Sequence, residues 1–368
     1  MERAGGVDPV ATRGASSDHL RRARSGRSGR WVGPRTPAPK DYGPEATPRR
    51  VVSRAVLDWL RDPVEPAIRY RTLRELDGRP EGDPEVTAAR AEIPRRGWAA
   101  RLLASRGPSG GWAVDRSPYL PKYVATNWNM LALSDLGLSR EDPELARSCE
   151  YWFRGFPLAG GGLGGNSAGT GHHCIVGNLT RAAIRFGYVD DPRVRRSLDW
   201  LVATADPRGG WSCFGSGRNL DSWEGLSAFA AYPRSKWRPS DAACVERAAE
   251  FFLERELHLQ GGPYAPWERF HYPVHYYYVL LVGLDLMTAL GYGDDPRLRF
   301  GLDLLRRKRR KDGRWNLDAN HPDVEGGTAR WLAAHPKDRP TPLALERAGR
   351  PSRMITLLAL RVLDRVGG

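Results

Sequence analysis

The chain has 368 residues, 40% of them apolar, with 13 Trp, 13 Tyr and 9 Phe, so material for a large core is at hand. It contains no run of about 18 apolar residues, and no membrane-spanning helix is expected. The net charge is +14, and the four cysteines, Cys149, Cys174, Cys213 and Cys244, are far apart with no CxxC among them; this speaks against a disulfide framework or zinc ribbon and for a cytoplasmic protein with free thiols.

Residues 1–50 hold 11 Lys/Arg against 5 Asp/Glu and are dominated by Arg, Gly, Ser and Pro. Such a segment cannot bury enough surface to offset its ordering entropy, and it reads as a disordered basic extension. It lacks the 7–15-residue apolar stretch of a secretory signal. A basic arm of this kind also suits contact with nucleic acid or an anionic lipid surface, the plain disordered extension being the simpler reading. The folded domain is then expected over 51–368, with residues 51–105 supplying the first one or two helix hairpins.

Beyond that point the chain is punctuated at regular intervals. Gly110-Gly111-Trp112, Gly209-Gly210-Trp211, Gly261-Gly262-Pro263-Tyr264 and Gly313-Arg314-Trp315 mark turns, with a further Gly-rich turn over 160–165. Trp112, Trp211 and Trp315 are separated by 99 and 104 residues, two units of about 50 each. The stretch Gly187-Tyr188-Val189-Asp190-Asp191-Pro192-Arg193 recurs as Gly291-Tyr292-Gly293-Asp294-Asp295-Pro296-Arg297, and Asp142-Pro143 precedes Asp191-Pro192 by 49 residues. Asp caps the free amides of a helix start, and Pro fits the first helical position, where no donor is needed.

Each unit therefore reads helix, Asp-Pro turn, helix, Gly-aromatic turn. Helices after Asp-Pro are amphipathic: Val194, Leu198 and Leu201 share one face, with charges mostly elsewhere. The outer helices are expected near 143–153, 192–203, 240–256 and 296–309. The alternate helices, near 122–136, 172–186, 220–232, 272–290 and 351–366, include stretches that are apolar nearly all round and so buried on most sides. A ring of buried helices inside a ring of amphipathic ones is an all-α, α/α toroid of about six hairpins. The basic run Arg306–Lys311 lacks interleaved aromatics and reads as cations at a helix C-terminus, with no nucleic-acid partner expected. The stretch 160–171 lacks the Gly-Lys-Ser/Thr of a phosphate loop. The long insertion 318–351 suits a lid or binding element.

Gly-Gly-Trp turns closing hairpins of about 50 residues resemble the prenyltransferase/squalene-oxidase repeat, which builds squalene–hopene cyclases and the β subunits of protein farnesyl- and geranylgeranyltransferases. The resemblance covers roughly 51–368. It implies a central cavity for a polyprenyl or other isoprenoid chain, and a transferase or isomerase activity. The cyclases of this family use an Asp-x-Asp-Asp acid. None occurs here, and the nearest pairs, Asp190-Asp191 and Asp294-Asp295, fall in the capping turns. The protein prenyltransferases follow a Gly-Gly-Phe turn with Arg, Lys and a zinc-binding Asp-x-Cys, and carry a His on a later helix. Against that pattern Arg218 takes the Lys slot and Asp221 the zinc Asp slot, while Trp223 stands where the Cys belongs and Tyr276 stands nearer the His slot than His271 or His275. Cys213 and His275 are the residues that could complete a zinc set with Asp221.

Buried helix starts would gather the remaining candidates at a cavity mouth. Asp221, Glu224, His271 and His275 are the candidates for acid, base or ligand. Trp128, His173, Arg218, Trp223, Tyr276, Tyr277 and Arg353 are the candidates for substrate binding, through aromatic faces and cationic contacts. Each residue taken singly can equally be a core filler with a satisfied polar tip. Two further readings stay open: a carbohydrate-active toroid using Asp221 and Glu224, and a toroid that binds without catalysis.

Overall fold

Helical segments start at the Asp-Pro pairs 83–84, 142–143, 191–192 and 295–296. In the computed structural model the described residues are 52–113, 117–213, 219–259, 265–320 and 344–367, and they fall within the second of the chain's two units, Ala46–Gly368. Their helices are α1 Arg54–Leu60, α2 Pro66–Glu75, α3 Pro84–Glu92, α4 Gly97–Ala104, α5 Thr126–Ser134, α6 Pro143–Arg154, α7 His173–Arg185, α8 Pro192–Thr204, α9 Glu224–Ala231, α10 Pro239–Leu253, α11 Leu280–Ala289, α12 Arg299–Arg307 and α13 Arg353–Arg365. Among the described residues the strands form a short antiparallel hairpin, β1 Pro157–Leu158 with β2 Gly162–Leu163. The chain is mostly helical, as the periodicity predicts. The Gly-Gly-Pro-Tyr turn at 261–264, most of the 318–351 insertion and the basic extension lie outside the described residues.

Asp142, Asp191 and Asp295 do the capping work expected of them. Their Oδ1 atoms accept the amides of Glu144, Arg193 and Arg297 at 2.9, 2.8 and 2.9 Å. The recurring Arg after Asp-Pro has a role as well. Arg193 forks onto Asp191 and onto Glu150 of α6, and Arg297 repeats this with Asp295 and Glu250 of α10. The repeated sequence thus ties each amphipathic helix to the one before it.

The tryptophans of the Gly-aromatic turns are equally regular. The indole Nε1 of Trp112, Trp211 and Trp315 donates to the carbonyls of Leu102, Leu201 and Leu305 at 2.8, 3.0 and 2.8 Å. Each ring therefore satisfies a carbonyl in the last turns of a preceding helix, ten residues back. Two of the three also accept a link to the next buried helix: the amides of Trp112 and Trp315 donate to the hydroxyls of Thr126 and Thr356 at 2.9 and 3.0 Å. Gly209 precedes one of these turns at a φ of 91° with its Cα against the carbonyl of Arg247, where a side chain would overlap the backbone of α10.

Burial separates two kinds of helix. All nine residues of α5 are buried, as are nine consecutive residues of α7, Val176–Ile184. By contrast α8 buries only Val194, Ser197, Leu198 and Leu201, the face expected from its periodicity. The buried helices touch in succession, α5 with α7, α7 with α9, α9 with α11 and α11 with α13, and α13 packs on α2. The closest approach is between α7 and α9, where a Cβ on Gly177 would overlap the backbone of Glu224.

Two charged features tie down the first helices. Glu65, 4% exposed, accepts the Trp98 amide at the start of α4 with both carboxylate oxygens. Burial pushes its carboxyl up to about 7 against the pull of that amide. Farther along, Arg361 of α13 pairs with Asp285 of α11 at 2.7 Å and with Glu75 of α2, and Arg71 pairs with Glu75 at 2.6 Å. Burial opposes ionisation there, yet Arg361 and Arg71 hold Glu75 well below the usual carboxylate range.

One expected helix is shorter than predicted. The apolar run 272–290 is helical only over Leu280–Ala289. Pro273 has no amide to give and disfavours helix in the residue before it, and His275 sits at a φ of 50°. His271 to Tyr278 therefore form an irregular lead-in segment rather than the first turns of a helix.

Candidate functional site

That lead-in segment meets the start of α5 in an aromatic cluster. Trp128 is 1% exposed and lies at the centre. Tyr119, Tyr123, His275 and Tyr276 surround it with ring centroids at 5.0, 4.7, 5.1 and 5.3 Å. The Trp128 indole donates to the Tyr119 carbonyl at 2.7 Å, and Asn127 donates to the Tyr276 hydroxyl at 2.8 Å. Tyr277 joins through its hydroxyl, 3.1 Å from that of Tyr123, and His271 lies 6.4 Å from the Tyr277 ring. Tyr123 and His275, both non-glycine, adopt left-handed φ angles of 67° and 50°, and their rings stack at 6.0 Å. Backbone conformations of this kind cost about 1–3 kcal/mol each and persist only where the surroundings enforce them.

His275 is fixed on both sides. Its Nε2 faces the Trp128 carbonyl at 3.2 Å, an atom that can only accept, so Nε2 carries the proton. Its own carbonyl accepts from Asn178 at 3.1 Å. Burial drives its pKa down to about 3, so the imidazole is neutral at physiological pH and serves as a hydrogen-bonding group, not as a charged acid.

A second group of residues sits between α7 and α9. Glu224, fully buried, begins α9. Arg181 of α7, 6% exposed, places its guanidinium 4.9 Å over the Trp223 ring. Burial lowers its pKa to about 10, and Arg185 lowers it further while Asp135, Glu224 and Tyr276 raise it. The Glu224 carboxylate is thus close enough to act on both Arg181 and Tyr276. Among the described residues Arg181 Nε, Trp223 Nε1 and Asn178 Oδ1 are buried without a hydrogen-bond partner. Several such atoms in one neighbourhood are what a water- or ligand-bearing interior leaves behind.

The His173 Nδ1 lies 3.0 Å from the Ser212 carbonyl, and its ring packs on Trp200 at 5.0 Å. Cys213 lies beside Cys174, whose amide donates to its Sγ at 2.9 Å. Arg353 turns away from the aromatic cluster, with its guanidinium on the Trp59 carbonyl and on Asp62 at the end of α1. Arg218 and the side chain of Asp221 lie outside the described residues. Among the described residues no group of three or more His, Cys, Asp or Glu gathers as a metal ion would need. Cys213 and His275 belong to no such group among the described residues, and the side chain of Asp221, the third of that expected zinc set, lies outside them. No described helix is long and apolar enough to cross a membrane.

Sequence reasoning overlooked Arg181 and Asn178. The available signal was their spacing: three apart, both polar, on a helix otherwise read as apolar nearly all round.

No protein family matches the chain, and no curated protein does. Solved structures do resemble it weakly. One is a protein from Actinoplanes, with 17% identity, 82% of this chain on 90% of that one and a TM-score of 0.40. Two are structures of a type II terpene cyclase from Scytonema in complex with geranylgeranyl dihydroxybenzoate, its substrate. They show 13% and 12% identity, 85% of this chain on 98% and 97% of theirs, and a TM-score of 0.31.

Proposed function

We propose that residues 51–368 form an α/α toroid of terpenoid cyclase or prenyltransferase type, which holds a polyprenyl or other apolar substrate at its centre. The observation that carries this reading is the aromatic cluster around Trp128, in which Tyr123 and His275 are held in left-handed conformations and Tyr119 and Tyr276 complete the wall. Aromatic faces accept an apolar chain and attract a cation developing along it. Arg181, buried against Trp223 with Nε lacking a hydrogen-bond partner among the described residues, is the cation for an anionic head group on such a chain. Glu224, fully buried at the start of α9 and close enough to act on Arg181, is the candidate proton carrier. The successive contacts α5–α7–α9–α11–α13–α2 agree with a closed inner ring.

The test is native mass spectrometry of the purified protein, followed by calorimetry with geranylgeranyl diphosphate. A co-purified polyprenyl lipid, or binding that weakens at least tenfold in Trp128→Ala, supports the reading. A bare protein that binds neither farnesyl nor geranylgeranyl diphosphate overturns it. A second reading, binding without catalysis, draws on the way Tyr123, Trp128 and Tyr276 already pack on one another at 4.7 and 5.3 Å. Product analysis after incubation with a bound diphosphate separates the two.

A further inference from the structure

The cysteines fall into two chemical classes. Cys149 and Cys244 are buried, and burial pushes their thiols up to about 12 and about 11. Cys174 and Cys213 are both partly accessible and lie together, although 39 residues separate them. Cys174 is in the first turn of α7, a helix of 13 residues. Cys213 follows the Gly-Gly-Trp turn at 209–211, and its Sγ accepts the Cys174 amide at 2.9 Å. With an N–Cα bond of about 1.5 Å, that sulfur is within about 4.4 Å of the Cys174 Cα, inside the reach of a disulfide. Its own amide is held by the Ser222 hydroxyl at 3.1 Å.

We propose that Cys213 and Cys174 are a redox-active dithiol that reduces hydroperoxides, with Cys213 the attacking thiolate and Cys174 the resolving thiol. Three features support it. The Cys213 sulfur accepts a backbone amide at a helix N-terminus, where negative charge is stabilised. The neighbouring His173 is anchored by the Ser212 carbonyl at 3.0 Å. Pairing with the Cys174 thiol and the nearby His173 hold the Cys213 thiol below its ordinary range against burial, while the same pairing pushes Cys174 up. One sulfur of the pair is therefore ready to attack and the other keeps its proton.

The chemistry balances. The Cys213 thiolate attacks one peroxide oxygen; the S–O bond forms, the O–O bond breaks, and the departing hydroxide takes a proton to leave as water. The Cys174 sulfur then attacks the sulfenic sulfur. The S–S bond forms, the S–O bond breaks, and the hydroxide leaves as a second water with the Cys174 proton. Two thiols and one hydroperoxide give one disulfide and two hydroxyl products, water and water in the case of hydrogen peroxide. The two sulfurs are oxidised and the two peroxide oxygens reduced. The resulting bond would pin the Gly-Gly-Trp turn to the first turn of α7, next to Glu224.

The test uses the full chain with hydrogen peroxide as probe. Titration of thiols in the denatured protein should fall from four to two after treatment of the native protein with one equivalent. Peptide mapping should recover a Cys174–Cys213 cross-link that reductant reverses. In Cys174→Ser the Cys213 sulfenic acid should persist and be trapped by dimedone, and in Cys213→Ser peroxide consumption should fall at least tenfold. Iodoacetamide labelling of the unmutated protein at pH 6 needs no variant to fold, and Cys213 should react at least tenfold faster than Cys149 or Cys244. Equal labelling rates, or peroxide treatment without the cross-link, overturns the proposal.

Discussion

Glu65 should make the folded protein less stable as the solution goes from acid to neutral. Its carboxyl titrates at 4.5 when unhindered and is raised to about 7 in the fold. Between those values the folded state holds a proton that the unfolded chain has released. Stability from this group is thus fully present below about 4.5 and lost as pH rises through about 7. At about 1.4 kcal/mol per pH unit the full loss is about 3 kcal/mol, and with Glu65 only 4% exposed, solvent screening does little to reduce it. Glu65→Gln keeps an oxygen to accept the Trp98 amide and removes the ionisation. Urea denaturation of both proteins across pH 4.5–8 should show near-equal stability at the acid end and the variant more stable by up to about 3 kcal/mol at pH 8. A difference that stays flat with pH, or that favours the native protein at pH 8, would refute the reasoning.

Other substitutions test the packing in the same way. Gly177→Ala puts a methyl into the backbone of Glu224 and should cost about 1–3 kcal/mol in urea denaturation, with loss of any ligand binding between α7 and α9. Trp211→Phe leaves the Leu201 carbonyl without its indole donor and should cost about 1–3 kcal/mol, with the same penalty for Trp315→Phe at Leu305 if the turns are equivalent. Arg361→Met strips the shared cation from Glu75 and Asp285 and should lower stability by about 3–5 kcal/mol at pH 7, a penalty that shrinks in acid as those carboxylates protonate. A thermal scan at pH 4 and pH 7 reads that pH dependence directly.

Local chemistry made much of the fold readable in advance. Asp142-Pro143, Asp191-Pro192 and Asp295-Pro296 start helices because a carboxylate beside two or three free amides, followed by a residue with no amide, needs no tertiary partner to work. The Gly-aromatic turns were legible for a similar reason, since the glycine conformation and the reach of an indole to a carbonyl ten residues back are short-range. Within the candidate site, Trp128, Trp223, Glu224, Tyr276 and His275 were legible as residues at or before buried helix starts, and the structure brings Trp128, Tyr276 and His275 into contact. Only the tertiary structure decided the rest. It turned the guanidinium of Arg353 to α1, made His275 a neutral hydrogen-bonding group, brought Arg181 onto Trp223 and set Cys174 against Cys213. Those outcomes depend on which groups from distant segments share a low-dielectric interior, and desolvation and pairing across 39 to 294 residues leave no period or spacing in the chain to read.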